Sequence, residues 1–404
     1  MKKILYLTVD GLSDPLGQSQ VLPYLLKLSE LGHNITIVSL EKPEKYKISK
    51  DHLQRLTQSS GILWFPLEYK MGIPVLSQYS NVVKLRKMAM KLMRSSKYDW
   101  IHARSYLASL VAIKIKSKFQ CRFLFDMRGF WADERVEGGI WKKSNFIHRL
   151  LYTYFKRKET ELIENADAIV TLTHKAKNFI IENFNLRHDD LITVIPCATD
   201  LEFFDPKEIS REDTEKLRLQ LNISKNKLVV SYLGSVGTWY MLEEMIDFFK
   251  AVNQKTSAHF LVLSQDDKVS LQTIFSSFGI SKSDFSILSL SRNEIPKYLL
   301  MSDLSVFFIR PTFSKIASCP TKMGELLAMG IPILTNRGVG DVDAILEEEH
   351  CGFLLDKLNQ EGYSNVVEDL ENSLQQMSPN CRTVSAKYFS LDEGVKKYHT
   401  IYNS

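Results

Sequence analysis

The residues with the clearest chemical potential form one short segment, residues 318–332. Pro320 stands where a helix would start and Gly330 where it would end, since proline is tolerated in a first helical turn and glycine closes helices. The N–H groups of such a start attract anions, and Lys322 adds a positive charge, so the segment could bind a diphosphate. Glu325, one turn later, could accept two hydrogen bonds from a ribose diol. The alternative is that both residues are solvated first-turn side chains.

Two further positions follow apolar runs. Gly17 lies in a loop after the first run, where it would let the backbone approach a ligand closely. The dinucleotide fingerprint G-x-G-x-x-G is missing, so a plain strand–helix turn is the alternative. Arg128 follows a later run, and its guanidinium suits phosphate or carboxylate recognition but cannot act as a base. A salt bridge to Asp133 or Glu134 is the alternative for Arg128.

His102 and Arg104 end another apolar run and are candidates to line a cleft, although a lone histidine in such a place is more often structural. The other histidines lack metal-ligand spacing, and the five cysteines are scattered singly, which argues against a zinc site and a disulfide framework. Residues 341–343 match Asp-x-Asp formally but read as a helix start. We therefore expect no metal, no cofactor and a reducing compartment.

The formal net charge of +5 is too small for the footprint of a nucleic-acid-binding protein, so no nucleic-acid partner is expected. The excess is concentrated in residues 84–97 and 141–158, where cations are interleaved with apolar residues. Such segments can lie on an anionic bilayer, or they can be ordinary helices with a solvated basic face. Because neither a signal-peptide core nor an 18-residue apolar stretch occurs, we expect a cytoplasmic protein, peripheral at the inner face of the membrane.

Short apolar runs alternate with helical patterns, which predicts an α/β fold with two doubly wound, Rossmann-like domains of parallel strands. We predict strands at residues 4–9, 34–39, 62–66, 100–102, 122–127, 168–172, 191–195, 227–233, 260–264, 285–288, 304–309, 332–335 and 353–355. The domains would span residues 1–200 and 201–384, with a C-terminal helix within 385–404 packing back on the first. A ligand is expected in a central cleft at the carboxyl ends of the strands.

The run Pro-Thr-Lys-x-Gly-Glu-x-x-Ala-x-Gly-x-Pro (320–332), together with residues 195–200 and 232–235, resembles the GT-B glycosyltransferases and, more narrowly, the retaining glycosyltransferase family 4. The resemblance covers essentially the whole length. It implies transfer of a hexosyl or N-acetylhexosaminyl group (EC 2.4) from a nucleoside diphosphate sugar to a saccharide or lipid-linked saccharide, in cell-surface polysaccharide or glycoconjugate synthesis. A non-catalytic sugar-nucleotide-binding partner protein and a sugar-nucleotide epimerase are the alternatives.

Two departures from the family pattern accompany this resemblance. The first of two family glutamates, which contacts the donor sugar, falls on Ala317, and the family's Arg/Lys pair falls on Ser235 and Tyr240. Unpaired diphosphate charge would cost several kcal/mol in a closed cleft, so another cation must replace that pair. The candidates are Lys322, Arg310 and Arg128.

The expected site residues fall into three sets. The catalytic candidates are Arg128, Lys322 and His102; the donor-binding candidates are Gly17, Gly234, Ser235, Arg310, Thr321, Lys322 and Glu325; the acceptor-binding candidates are Arg104, Asp133 and Glu134. If transfer proceeded with inversion, a base would be needed, and Asp126, Asp133 or Glu134 would be the first to test.

Overall fold

The computed structural model describes residues 1–186 and 188–404 and separates into two α/β units. The first unit comprises Met1–Ala198, Ile316–Ser318 and Leu391–Ser404, and the second comprises Thr199–Lys315 and Cys319–Ser390. Residues 385–390, expected with the first domain, stay in the second unit because Thr199 donates its N–H to the carbonyl of Phe389 (2.7 Å). The Ile316 carbonyl is held in the first unit by the hydroxyl of Thr173 (2.7 Å).

The first unit has a seven-stranded, parallel sheet in the order β3-β2-β1-β4-β5-β6-β7. Its strands are β1 (Lys3–Leu7), β2 (Asn34–Glu41), β3 (Leu63–Glu68), β4 (Trp100–Arg104), β5 (Arg122–Asp126), β6 (Ala168–Thr171) and β7 (Ile192–Val194). Its helices are α1 (Pro15–Gln20), α2 (Leu22–Glu30), α3 (Pro43–Ser59), α4 (Pro74–Ser95), α5 (Ser105–Lys116), α6 (Trp131–Glu137), α7 (Phe146–Asn165), α8 (His174–Asn183) and the C-terminal α17 (Leu391–Asn403).

The second unit has a six-stranded, parallel sheet in the order β10-β9-β8-β11-β12-β13. Its strands are β8 (Leu228–Leu233), β9 (Ala258–Leu263), β10 (Phe285–Leu288), β11 (Leu304–Val306), β12 (Ile333–Asn336) and β13 (Gly352–Leu355). Its helices are α9 (Arg211–Gln220), α10 (Leu242–Lys255), α11 (Lys268–Ser277), α12 (Ile295–Leu299), α13 (Thr321–Ala328), α14 (Val342–Glu349), α15 (Gln360–Glu368) and α16 (Leu370–Phe389).

The predicted fold class is confirmed, because each of the thirteen apolar runs overlaps one of these strands. The central strands are buried on both faces, as parallel strands covered by helices require, and they therefore read as continuous apolar runs in the sequence. In each sheet the strand order changes direction at the first strand of the unit. Strands β2 and β3 lie on one side of β1 and β4 to β7 on the other, and β9 and β10 lie on one side of β8 and β11 to β13 on the other. The carboxyl ends of these strands and their neighbours are the places where doubly wound folds hold ligands.

Within the described residues, no helix combines the length and the apolar character needed to cross a bilayer.

Candidate functional site

Helix α13 of the second unit begins as the sequence predicts, at Thr321 immediately after Pro320. Pro320 occupies the N-cap position and makes no side-chain hydrogen bond to this start. The first N–H groups of a helix have no partner inside the helix, so the start of a helix can receive an anion. A diphosphate seat at Thr321 and Lys322 stays a prediction.

The ammonium group of Lys322 is buried and, among the described residues, has no hydrogen-bond partner. It lies over two aromatic rings, 3.7 Å from the ring centre of Tyr240 and 4.1 Å from that of Tyr232. Burial lowers the pKa of Lys322 well below its usual range, and the attraction of Glu325 and Asp266 offsets only part of this effect. A buried amine without a counter-ion is costly for the fold, so the arrangement favours a ligand that brings negative charge.

The loop after β8 approaches Lys322 at Gly234. A side chain at this position would place its Cβ 3.1 Å from Nζ of Lys322, and the backbone φ of +113° also favours glycine. Tyr240, which stands where the family has a lysine, supplies one of the rings under the Lys322 ammonium. The positive charge that is missing from position 240 in the sequence is thus supplied at the same place in space by helix α13.

Several groups of this loop already have partners. Asp266, directly after β9, accepts hydrogen bonds from the Val236 N–H (2.6 Å) and the Ser235 hydroxyl (3.1 Å). The Gly234 N–H donates to the carbonyl of Leu263 (2.9 Å), so it is not free to donate to a phosphate. The donor-binding role expected for Ser235 stays a prediction.

Glu325 is buried one turn into α13, where one carboxylate oxygen lies 3.3 Å from the guanidinium of Arg292. Arg292 itself stacks over the rings of Phe203 and Phe204, with its guanidinium 5.2 and 5.5 Å from the ring centres. Because this cation fixes the orientation of the carboxylate, Arg292 is a positioning residue that the sequence analysis missed. The binding of a ribose by Glu325 stays a prediction.

Two other cations lie at the carboxyl end of this sheet. Arg310 is exposed, and its backbone N–H donates to the carbonyl of Trp239 (2.9 Å). Lys315 is buried with its ammonium 3.6 Å from the ring centre of Trp239, in the loop that follows β8. The sequence analysis named Arg310 and passed over Lys315, whose place in a short 3₁₀ turn carries no distinctive motif.

In the first unit, one buried carboxylate organises the candidate cations. Asp126 ends β5, where the parallel register pairs it with Arg104 of β4. Its oxygens lie 3.3 Å from Arg128 and 3.5 Å from both Arg104 and His102. Burial alone would raise the pKa of Asp126, but Arg128, His102 and Arg104 outweigh it and hold the pKa below its usual range. Arg104 is also 3.3 Å from the half-exposed Asp10, so every cation in this cluster has a carboxylate partner.

Two predicted roles in this cluster change with this geometry. Arg128 does form a salt bridge, but with Asp126 and not with Asp133 or Glu134. His102 is buried, bonded through Nδ1 to the Tyr402 hydroxyl (2.6 Å), and burial lowers its pKa, so it is a neutral structural residue and not a catalytic one.

Asp133 lies away from this cluster. Its two oxygens accept hydrogen bonds from Tyr152 (2.7 Å) and Lys156 (2.8 Å) of α7. An acceptor-binding role is therefore not supported for Asp133, whereas the role expected for Glu134 stays a prediction. Among the described residues, no group of three or more His, Cys, Asp and Glu side chains is arranged to hold a metal ion.

The glycine loop of the first unit is filled by the protein itself. Gly17, predicted in a loop, lies in α1, where a Cβ would be 2.0 Å from the carbonyl oxygen of Gly11, so this glycine is needed for the packing of α1 against the preceding loop. The carboxylate of Glu41 accepts hydrogen bonds from the N–H groups of Leu12 (2.8 Å) and Ser13 (3.0 Å). Glu41 thus occupies the place expected for a bound anion, and its position at the end of β2 was the available signal.

Two family models match the chain. The model of Glycosyltransferase Family 4 matches residues 18–203, and the model of Glycosyl transferases group 1 matches residues 213–383. Together they cover most of the sequence. Among the curated proteins, none matches the chain in sequence.

Several solved structures are similar in fold along their whole length. Alr3699/HepE of Anabaena, solved with UDP and glucose, has a TM-score of 0.73 and 15% identity, and the similarity covers 100% of each chain. A sucrose-phosphate synthase of Thermosynechococcus elongatus has a TM-score of 0.74 and 14% identity, with 100% of this chain and 98% of that chain covered. WaaG, which acts in lipopolysaccharide biosynthesis, has a TM-score of 0.68 and 12% identity, with 98% and 99% covered.

Proposed function

Because the chain belongs to the GT-B glycosyltransferases and resembles family 4 within them, we propose that it transfers a hexosyl or N-acetylhexosaminyl group from a nucleoside diphosphate sugar to a saccharide. The single observation that carries this proposal is the buried ammonium of Lys322, which has no hydrogen-bond partner among the described residues, in the first turn of α13. The similarity in fold to a protein solved with UDP and with UDP-glucose supports uridine nucleotides as the first donors to test.

The second unit binds the donor in this proposal. Lys322 and the N–H groups at the start of α13 hold the diphosphate, and Glu325 accepts hydrogen bonds from the ribose hydroxyls while Arg292 orients its carboxylate. The anion gives Lys322 the counter-ion that the protein itself does not supply. This positive charge meets the diphosphate without a metal ion, so we propose a metal-independent reaction.

The reaction breaks the bond between the anomeric carbon and a diphosphate oxygen, which leaves negative charge on that oxygen and positive charge on the sugar ring. A fixed cation and aligned N–H groups stabilise this charge more as it grows, which lowers the barrier. We propose retention, with the departing phosphate oxygen taking the proton of the attacking hydroxyl. An inverting route would need a protein base. Asp126 is a weak one because Arg128, Arg104 and a hydrogen bond from His102 keep it ionised, and Glu134 is the remaining candidate.

The first unit binds the acceptor in this proposal. Arg104 and Arg128 lie at the carboxyl ends of β4 and β5, where an anionic group of a saccharide or of a lipid-linked saccharide can exchange with Asp10 or Asp126 as their partner. The reaction serves the synthesis of a cell-surface polysaccharide or glycoconjugate, with the protein at the inner, cytoplasmic face of the membrane.

The function is tested by measuring nucleotide release. The protein is incubated with UDP-sugars selected by thermal shift, since a donor that binds only the folded state raises the melting temperature. Transfer predicts UDP release that increases with an acceptor extract. Conversion of the sugar without UDP release would instead identify an epimerase, and binding without any turnover would identify a non-catalytic partner protein.

A further inference from the structure

An apolar groove of about 360 Å³ opens on the surface of the first unit between α4, α5, α6 and α7. Its walls include Val82, Leu110, Trp131, Trp141 and Phe155. The groove is separate from the Asp126 cluster, since it shares no lining residue with that cluster. Nothing in the proposed reaction uses it.

The charged side chains that line the groove are all cations. They are Arg86, Lys114, Arg135 and Lys158, and none of the described lining residues is a carboxylate, although Lys158 pairs with Glu161 outside the lining. Arg135 stacks over Trp131 with its guanidinium 3.9 Å from the ring centre, and its Nε has no hydrogen-bond partner. Burial lowers the pKa of Arg135, and the attraction of Glu134 offsets only part of this effect. The groove is therefore complementary to a ligand with an apolar body and an anionic group.

Four of the side chains that line the groove are both apolar and exposed. They are Val75, Tyr79, Ile140 and Tyr154, with Tyr79 70% exposed. Further exposed apolar side chains lie close to them in the sequence, at the start of α4 and the start of α7: Met71, Ile73, Leu76, Phe146, Ile147 and Leu150. Exposed apolar patches mark sites of interaction with a protein or a membrane.

We propose that this groove takes one acyl chain of an anionic phospholipid, whose headgroup is held by the surrounding cations when the first unit lies on a bilayer. The volume of the groove is near the lower end of small-ligand pockets, which suits a single chain better than a folded helix of a protein partner. An acidic helix would also need carboxylates matched to cations at fixed spacing, whereas a fluid lipid headgroup adapts to Arg86, Lys114, Arg135 and Lys158 wherever they stand.

This inference deepens the membrane part of the proposed function, but it is tested separately from sugar transfer. The probe is a vesicle of phosphatidylcholine, with or without phosphatidylglycerol, whose acyl chains carry bromine atoms. Bromine quenches tryptophan fluorescence on contact, and Trp131 and Trp141 line the groove. We expect quenching with the phosphatidylglycerol vesicles and little with phosphatidylcholine alone.

Variants localise the contact. In Trp131→Phe/Trp141→Phe most of the quenching should disappear, whereas Trp64→Phe, which removes a tryptophan outside the groove, should leave it unchanged. Val82→Phe/Leu110→Phe fills the groove without changing its charge and should reduce quenching, although sedimentation with the vesicles persists. Arg86→Ala should weaken vesicle binding about fivefold from the loss of one interfacial cation.

The matched control for Arg86→Ala is Lys87→Ala, which removes a charge from the neighbouring exposed position outside the groove. Equal effects of the two changes would overturn the proposal, because they would show a diffuse charge attraction. Sedimentation with the anionic vesicles without tryptophan quenching would also overturn it, as would the absence of vesicle binding at low salt. Circular dichroism and urea unfolding check the fold of every variant, and UDP-sugar binding, which the proposal assigns to the second unit, should remain intact whatever the lipid result.

Discussion

Cations lie at the carboxyl ends of both sheets, but the partners of these cations differ between the two units. In the first unit Arg104 and Arg128 surround Asp126, and Arg104 also pairs with Asp10, so the charges balance without a ligand. In the second unit the ammonium of Lys322 is buried against Tyr232 and Tyr240 with no partner among the described residues. A balanced cluster holds a fold together, whereas an unbalanced buried charge costs stability that a ligand can restore.

The same contrast distinguishes two kinds of functional candidate. An arginine that already has a buried carboxylate partner must exchange that partner to bind an anion, so it contributes little net affinity. A lysine without a partner contributes its full interaction to the incoming diphosphate. We therefore expect Lys322 to dominate donor binding and the Asp126 cluster to dominate stability.

The largest expected effect is on stability in the first unit. Asp126→Asn removes the carboxylate shared by three side chains and should lower the free energy of unfolding by about 3–5 kcal/mol, because it leaves buried guanidinium groups uncompensated. Asp10→Asn is the matched control, since this half-exposed residue contacts only Arg104 and should cost no more than about 1 kcal/mol. Urea unfolding measures both, and equal losses would contradict the central role of Asp126.

The loss of stability at acid pH tests the same role of Asp126. Since the folded pKa of Asp126 lies below its usual range, its contribution is complete above the unfolded pKa and is lost as the pH falls through the folded value. Asp126→Asn should therefore reduce the loss of stability on acidification.

The next prediction concerns Lys322, whose replacement should raise stability and lower activity. Lys322→Met replaces a buried amine that has no hydrogen-bond partner among the described residues, and it should raise the free energy of unfolding by about 1–3 kcal/mol. The same change should lower turnover about 10²–10³-fold, the usual loss when one stabilising donor is removed from a reacting oxygen. Urea unfolding and UDP release measure the two effects. Binding of uridine, which lacks the diphosphate, should be unchanged, and an equal loss of uridine and UDP affinity would contradict a phosphate role.

A smaller effect is expected from the glycine that lies beside Lys322. Gly234→Ala forces a side chain into a left-handed backbone conformation at a cost of about 1–2 kcal/mol and pushes against Nζ, so UDP affinity and stability should both fall. Gly237→Ala in the same loop is the control, because its Cβ would make an ordinary contact of 3.5 Å with the Ser235 hydroxyl. Calorimetric titration with UDP separates the two variants, and similar affinities would show that the Gly234 contact is unimportant.

The smallest effect is a pH dependence of donor binding. Burial keeps the pKa of Lys322 low in the free protein, and a diphosphate restores the charged form, so binding takes up a proton. Affinity should therefore rise as the pH falls, by at most about tenfold per pH unit. UDP-glucose is the suitable ligand because its diphosphate does not titrate near neutrality. Titrations in buffers of different ionisation enthalpy report the uptake, which should vanish in Lys322→Met; release of a proton in the wild type would refute the assignment.

The segments that form the candidate site could be predicted from the sequence because their signals are local. An apolar run of parallel-strand length predicts a buried strand wherever it stands, and Pro320 and Gly330 mark the limits of α13 through backbone geometry alone. Lys322 and Glu325 were named for the same reason, since a residue's position within a helical turn follows from counting along the chain. The thirteen strands and the start of α13 are confirmed on this basis.

The partners of those residues come from distant parts of the chain, and no local pattern predicts them. Tyr240 under Lys322, Arg292 beside Glu325 and Glu41 in the first glycine loop each meet their partner only after the strands have paired and the helices have covered the sheets. The amino-acid sequence alone was therefore enough to name the helix start and the residues that are proposed to bind the diphosphate. Which cation in it lacks a counter-ion depends on long-range packing, because burial and charge balance are properties of the folded surroundings and not of the residue itself.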